Sequence, residues 1–382
     1  MRKLKFLGAM AAGLALFGAG CSFTPPGEKS VTEGSYVPKT ADTSPIKIGW
    51  VGPLTGDAAS VGKDALTAAQ LAVEEVNAAG GINGRMLELV AEDGKCNPKD
   101  AATAGNKLIN VDKVPAIVGT ACSGEMMAIA PTAEQNKTIM VGYCASAPTV
   151  SAAGDYIFRT YPSDVLQSKF VAEYVYNTLG KKKVATLAVL GDWGTGLKNG
   201  FEQRFKELGG EVVSSQDYVQ ESRDLRTQLT KAKDSQPEIL FFVGYTEASI
   251  AGLKQAKELG LNVSIIGGDA WDDTKIHANS FAEGIMYSVG AAPQYDLAWV
   301  EKLKQKGATT NVCVPRSYDN VKLLAEIMKR TGTDTAKIKD ELYKVQGYQG
   351  IGGIVNMDSN GDNTSAQFQI KVVKNGKAEA AK

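Results

Sequence analysis

The chain from residue 46 onward alternates between two hydrophobic patterns. Short apolar runs such as "IKIGWVGP" predict buried strands, and longer segments with an apolar residue at every third or fourth position predict helices. In "KDALTAAQLAVEEVNAAGG", Leu66, Ala69 and Val73 have this helical spacing, and two glycines end the segment. The pattern therefore predicts strands and helices in regular alternation.

The alternation runs through two series of elements. The first series has strands at "IKIGWVGP", "MLELVAED", "VPAIVG" and "TIMVGY", and the second, after "DYIFRTYPSD", has strands at "KVATLAVL", "EVVSSQDY", "EILFFVG" and "VSIIGG". Strands this apolar are buried on both faces, and the helices between them are typical of the crossovers of parallel sheets. We therefore expect an α/β fold of two doubly wound parallel-sheet lobes joined by a hinge. A ligand cleft should lie between the lobes, at the carboxyl ends of the strands.

The first residues predict export. Basic residues precede an apolar stretch at 6–17 that is too short to span a bilayer, so residues 1–20 are interpreted as a signal peptide. The small residues before Cys21 resemble a bacterial lipoprotein cleavage site, which implies that Cys21 carries a lipid anchor. Ordinary cleavage nearby, leaving a soluble protein, is the alternative. Residues 21–45 are rich in Pro, Ser, Thr and Gly and predict a flexible tether.

The charge balance argues against a nucleic-acid partner. The chain has 42 basic and 42 acidic residues, and the balance becomes 39 against 42 once Arg2, Lys3 and Lys5 leave with the signal peptide. No basic run is interleaved with aromatic residues, so electrostatic attraction to phosphates has no support.

Enzyme signatures are also missing from the sequence. His277 is the single histidine, and no Gly-x-Ser-x-Gly elbow, phosphate loop or dinucleotide glycine fingerprint occurs. A nucleophile and base pair would have to use His277, which we interpret as a surface or packing residue. We therefore expect neither catalysis nor a cofactor.

The segment "DSNGDNTSAQFQ" has Asp358, Asn360 and Asp362 at alternating positions of a calcium loop. The loop has Asn363 instead of the required glycine and Gln369 instead of the bidentate glutamate. A polar turn between two strands is the better interpretation, and no metal site is predicted.

Five cysteines occur in a chain predicted to enter an oxidising compartment, so pairs are interpreted first as disulfides. If Cys21 takes lipid, then Cys96, Cys122, Cys144 and Cys313 remain, with three pairings open. Cys96 and Cys122 each follow a strand, and consecutive parallel strands would bring them together. Zinc is the competing interpretation, but no Cys-x-x-Cys spacing supports it.

At this point several ordered segments resemble a known family, the periplasmic substrate-binding proteins of branched-chain amino acid ABC transporters. The segments are "IKIGWVGPLTG", "EEVNAAGGINGRMLELVAEDGKCNP", "AIVGTACSG", "YCASAPTV", "DYIFRT" and "GGIVNMDSNGD". The resemblance implies a receptor in the periplasm or cell envelope that traps a small amino acid, works as a monomer and delivers its ligand to a membrane permease. Relatives in this family bind other amino acids, amides, urea and aromatic acids, so these ligands, a sensory role and a periplasmic enzyme remain alternatives.

The resemblance also implies site residues and lobe boundaries. It implies a Cys96–Cys122 disulfide and a first lobe of residues 46–163 and 290–349, with a second lobe of 164–289 and 350–376. Cys144 and Cys313, outside the common pattern, would then share the first lobe and could form a second disulfide. Val61 stands where an aromatic residue is common, which leaves open what fills that space. The implied ligand-binding residues are Ser123, Ala145, Ser146, Trp193, Tyr245 and Asp269.

These residue types suit a zwitterion. A buried ammonium needs an acceptor, here Asp269, and a buried carboxylate needs donors, here Ser123, Ser146 and the start of the helix near Gly124. Trp193 and Tyr245 offer apolar area to a side chain or a ring face to the ammonium. A plain helix cap at Ser123 and a turn residue at Asp269 are the alternatives.

Overall fold

The computed structural model describes residues 43–291, 295–365 and 367–381. The predicted signal peptide, Cys21 and nearly all of the predicted tether lie outside the described residues. Within the described part, no helix is both long and apolar enough to cross a membrane.

The elements follow the predicted alternation of strands and helices. The strands are β1 Ile46–Gly52, β2 Leu87–Asp93, β3 Ala116–Val118, β4 Ile139–Gly142, β5 Ile157–Arg159, β6 Lys183–Val189, β7 Glu211–Tyr218, β8 Ile239–Val243, β9 Ser264–Gly267, β10 Met286–Gly290, β11 Tyr348–Gly350, β12 Gly353–Val355, β13 Phe368–Lys374 and β14 Lys377–Ala380. The helices are α1 Ala59–Ala78, α2 Pro98–Asn106, α3 Ser123–Asn136, α4 Asp164–Glu173, α5 Asp192–Glu207, α6 Arg226–Asp234, α7 Thr246–Glu258, α8 Thr274–His277, α9 Leu297–Gln305, α10 Val314–Thr331 and α11 Thr335–Leu342.

The first sheet has the strand order β2-β1-β3-β4-β5, and all its pairs are parallel. Every residue of β3 and β4 is buried, as expected for strands covered by helices on both faces. Helices α1 to α3 precede β4 in the chain, and α9 to α11 return later to pack against α1 and this sheet. We call this sheet and these six helices the first lobe.

The second sheet has the order β14-β13-β10-β9-β8-β6-β7. Its pairs from β7 to β10 are parallel, whereas β13 runs antiparallel to β10, and β14 runs antiparallel to β13. This sheet with α4 to α8 is the second lobe. The prediction of parallel-sheet lobes is confirmed, and the antiparallel hairpin at one edge is an addition that the pattern did not indicate.

The segment first compared with a calcium loop is a turn, and its Asp362 has a structural role. Asp362 forms a two-pronged salt bridge with the fully buried Arg159, at 2.7 Å to Nε and 2.8 Å to Nη2. The Arg159 backbone N–H also donates to the Gly361 carbonyl at 2.9 Å. The end of β5 is thereby joined to the segment between β12 and β13.

His277 is a packing residue. It is buried, its Nε2 lies 2.7 Å from the Trp271 carbonyl oxygen, and its ring stacks on Tyr287. The hydrogen bond and the ring stacking account for a buried histidine at this position without a catalytic role.

Candidate functional site

A cavity of about 50 Å³ lies between the two lobes. One buried water needs ~10–15 Å³ on this measure, so the cavity has room for only a few waters or a small ligand. The first lobe lines it with Ala58, Val61, Ala121 and the residues of a disulfide, Cys144 and Cys313. The second lobe lines it with Trp193, Tyr245 and Asp269, three of the predicted site residues.

Contacts between the lobes show that the cleft is closed. Ser60 Oγ on α1 donates to Asp273 Oδ2 at 2.7 Å, and Gln220 Nε2 donates to the Cys96 carbonyl at 3.1 Å. Arg223 forms an ion pair with Asp57. Each of these pairs joins one residue of the first lobe to one of the second.

The start of α3 is fixed by a disulfide and a buried glutamate. Cys96 and Cys122 are bonded, as predicted, with their Cα atoms 5.3 Å apart. Glu125 accepts the backbone N–H of Cys96 at 2.9 Å and that of Cys122 at 3.2 Å. Complete burial raises the pKa of Glu125 to about 7, against the lowering effect of these two donors. The loop that leads into α3 is therefore held in one conformation.

Ser123 is the first residue of α3, and the cap position belongs to Cys122, so the alternative of a plain Ser123 cap is wrong. The Ser123 Oγ accepts backbone N–H groups from Ser146 at 3.1 Å and Ala147 at 3.0 Å. Because the oxygen accepts both, the hydroxyl proton remains to be donated. The structure thus brings Ser123, Ala145 and Ser146 together, although the cavity wall itself is formed by their neighbours Cys122 and Cys144. The expectation that Ser146 donates to a ligand carboxylate is not met, because its N–H donates to Ser123 and its hydroxyl donates to Asp164.

Trp193 and Tyr245 form an aromatic pair on the second lobe. Their ring centroids lie 4.7 Å apart with an interplanar angle of 28°. Trp193 stands in the first turn of α5, and Tyr245 directly precedes α7, so both rings lie at the carboxyl ends of strands β6 and β8. The pair gives this side of the cavity a flat apolar surface.

Asp269 directly follows β9 and is buried. Within the described residues, its Oδ1 has no hydrogen-bond partner. Burial raises the pKa of Asp269 to about 6, while the Tyr161 hydroxyl and the Gln167 amide partly offset that rise. The structure places this carboxylate at the cavity, as the resemblance implied.

A second carboxylate, Asp164, was not predicted from the sequence. It is the first residue of α4 and fully buried, and its Oδ1 also lacks a hydrogen-bond partner in the part of the chain described. Burial and the nearby Asp269 carboxylate raise the pKa of Asp164 well above its usual value, although Arg159 and Ser146 lower it. An acidic residue in a first helical turn is commonly read as a partner of the helix dipole, so no local signal indicated its position.

The cavity-lining role of the segment Asn311–Cys313 was not predicted either, although Cys313 was named as a possible disulfide partner. All three residues line the cavity. The Val312 N–H donates to Asp272 Oδ2 of the second lobe at 3.0 Å. Cys313 is bonded to Cys144, so the second disulfide that the sequence left open is present.

A model of the periplasmic binding protein family matches residues 45–378. The chain is 27% identical over 337 residues to the leucine-, isoleucine-, valine-, threonine- and alanine-binding protein of Pseudomonas aeruginosa, covering 86% of this chain and 90% of that protein. A solved leucine-binding protein from Thermotoga maritima is 30% identical to this chain, with a TM-score of 0.82. The match covers 88% of this chain and 98% of that protein. A solute-binding protein from R. palustris in complex with benzoate has a TM-score of 0.80, and the match covers 88% of this chain and 95% of that protein. Because the two sequences are only 20% identical, this likeness shows the fold alone. The chain belongs to the periplasmic binding protein family, and it is an extracytoplasmic solute-binding protein, not an enzyme.

Proposed function

We propose that the protein captures a small amino acid with an aliphatic, branched side chain in its cleft and delivers it to the permease of an ABC importer. One observation carries the proposal, the pair of buried carboxylates Asp164 and Asp269. Each has an oxygen without a hydrogen-bond partner among the described residues. An isolated buried carboxylate is costly, so the pair favours a cationic group such as an α-ammonium.

The other end of an amino acid finds donors on the first lobe. The Ser123 oxygen accepts two backbone N–H groups, so its hydroxyl proton is still available for donation to a ligand. The same residue begins α3, where the positive end of the helix dipole favours an anion. A carboxylate bound there and an ammonium at Asp269 would engage both lobes.

The cavity wall supports an aliphatic side chain. Val61, Val312 and Trp193 line it, with the Cys144–Cys313 disulfide as a further apolar surface. Burying a leucine-sized side chain contributes roughly 1.5–3 kcal/mol. The similarity to leucine-binding proteins agrees with this chemistry.

Binding to both lobes also supplies the signal for delivery. A ligand that contacts both lobes stabilises the closed form by its differential affinity for closed over open. The permease would then recognise the closed form of a monomeric receptor, tethered to the membrane by lipid on Cys21.

Cleavage before Cys21 with lipidation predicts a mature chain whose mass includes acyl chains, and a C21A variant would be released from membranes.

An aromatic carboxylate is the second candidate, because Trp193 and Tyr245 form a stacked aromatic surface in the cavity. A benzoate-like ligand, however, offers no cation to Asp164 and Asp269. The carboxylate pair therefore favours the amino acid.

The test is mass spectrometry of ligand released from the purified protein, followed by thermal-shift measurements with aliphatic amino acids and with benzoate. We expect leucine, isoleucine or valine to raise the melting temperature, and D269N to abolish that rise. The matched control is D234N, which removes an exposed carboxylate at the end of α6. Stabilisation only by ligands without an α-ammonium would overturn the proposal.

A further inference from the structure

We propose that the Cys144–Cys313 disulfide, together with Val312, forms a wall that sets the upper size limit of the ligand side chain. The inference deepens the proposed amino-acid function and rests on it. It concerns specificity, whereas the first disulfide, Cys96–Cys122, fixes the loop before α3.

The disulfide joins two parts of the chain that meet only in the folded first lobe. Cys144 follows β4 and directly precedes Ala145 and Ser146, the segment hydrogen-bonded to Ser123. Cys313 lies 169 residues later, immediately before α10. Both cysteines line the cavity and are largely buried, at 7% and 9% exposure. The bond therefore connects the segment assigned to the charged ends of the ligand with another part of the cavity wall.

Further contacts hold that wall in place. Asn311 Oδ1 accepts the backbone N–H of Cys313 at 2.9 Å and that of Val314 at 3.2 Å, which fixes the turn that leads into α10. From the other lobe, Asp272 accepts the Val312 N–H at 3.0 Å. Asp272 is itself held by the Tyr287 hydroxyl at 2.8 Å and the Lys371 ammonium at 2.9 Å. With restraints on both sides, the segment cannot move aside easily for a larger ligand.

The wall also answers the question raised by Val61. This position has a small side chain where bulk is common, and Val61 lines the same cavity as the disulfide. The two sulfur atoms and Val312 supply apolar bulk to this cavity. Shape differences of one methylene in an apolar pocket discriminate ligands about 10- to 200-fold, so a fixed wall of this kind is sufficient to select among aliphatic side chains.

The test compares dissociation constants for leucine and phenylalanine, measured by calorimetry on the oxidised, ligand-stripped mature protein and on C144A/C313A. Removing both sulfurs opens space and frees the segment. We expect the ratio of the phenylalanine constant to the leucine constant to fall at least tenfold. An unchanged ratio, even with weaker binding of both ligands, would show that the disulfide only stabilises the fold and does not set ligand size. That result would overturn the inference.

A second variant protects the test against misfolding of C144A/C313A. V312F keeps the disulfide and fills the cavity, so we expect it to lose leucine binding while it retains alanine binding. Leucine affinity equal to that of the parent would contradict the wall. A parent protein that binds no amino acid would instead overturn the proposed function and this inference with it, whereas leucine binding by the parent with an unchanged ratio overturns this inference alone.

Discussion

The Ser146 hydroxyl donates a hydrogen bond of 3.1 Å to the Asp164 carboxylate. This contact joins the first-lobe segment that is hydrogen-bonded to Ser123 to the carboxylate pair of Asp164 and Asp269. The donor and acceptor groups proposed for the two charged ends of the ligand therefore form one connected network, in which a change of protonation affects binding.

Amino-acid affinity should fall as the pH falls below about 6. The pKa of Asp269 is raised to about 6, so below that pH the ligand ammonium must displace a proton. For one displaced proton the dissociation constant rises up to about tenfold per pH unit. Calorimetry between pH 4.5 and 7.5 checks this, with D269N expected to bind weakly at every pH in the range. Tighter binding at low pH would contradict the prediction and would point to an anionic ligand without an ammonium.

Asp164 should contribute to ammonium binding although it was not predicted. In D164N the network loses the carboxylate that a bound ammonium would keep ionised, and we expect amino-acid affinity to fall about tenfold or more because removing one partner of a buried pair costs several kcal/mol. Melting temperature without ligand provides the control, since relief of burial and repulsion should leave the ligand-free variant at least as stable as the parent. Unchanged affinity would exclude Asp164 from the binding network.

Glu125 should make the ligand-free protein less stable as the pH rises. Its pKa is about 7 in the folded protein against an ordinary value of 4.5, so the native state binds more protons than the unfolded state between these values. The free energy of unfolding should therefore fall between about pH 4.5 and 7, by on the order of 3 kcal/mol. Urea unfolding of E125Q should lack this part of the slope. If the free energy of unfolding of E125Q and of the parent changed in parallel with pH, the prediction for Glu125 would be wrong.

A side chain at Gly196 should prevent closure. A Cβ added at Gly196 on α5 would lie 2.8 Å from Pro148 Cδ of the first lobe, closer than such contacts occur. G196V should therefore weaken ligand binding at least tenfold, with a radius of gyration in saturating ligand that stays near the ligand-free value. The matched control, N199V, adds the same branched side chain at an exposed position of the same helix. Normal closure of G196V in solution scattering would refute the steric argument.

The Arg223–Asp57 ion pair should slow opening only modestly. Arg223 remains 44% exposed, so water and salt partly screen the pair, whereas Asp57 is only 8% exposed. Exposed pairs contribute about 0–1 kcal/mol, and we expect the upper end of that range here. R223A should speed ligand dissociation up to about fivefold, and the difference should shrink in high salt. R226A, which breaks ion pairs within the second lobe, is the control. A larger loss in R226A than in R223A would contradict the assignment to closure.

Local patterns predicted the elements well because hydrophobic spacing and helix stops are properties of neighbouring residues. Strand β8, all apolar and fully buried, illustrates this. The antiparallel pairing of β13 with β10 depends instead on contacts between residues far apart in the chain, and "AQFQIKVV" carries no mark of its direction.

The site divides in the same way. The family resemblance implied Ser123, Trp193 and Asp269, and the structure places them at or beside one cavity. Asp164 has the ordinary sequence context of a helix start, and the pairing of Cys144 with Cys313 across 169 residues is one of three that the spacing allowed. Only folding in three dimensions distinguishes such residues from surface acids and free thiols.

The Arg159–Asp362 salt bridge has a mechanical consequence. Arg159 ends β5 where the chain first leaves the first lobe, and Asp362 lies on the last passage back to the second sheet. The salt bridge thus holds two passages of the chain between the lobes side by side. Sliding or separation of these two passages would break the buried Arg159–Asp362 bonds, so the joint resists both movements. Movement of one lobe relative to the other is therefore restricted at this joint to changes that leave the Arg159–Asp362 bonds intact.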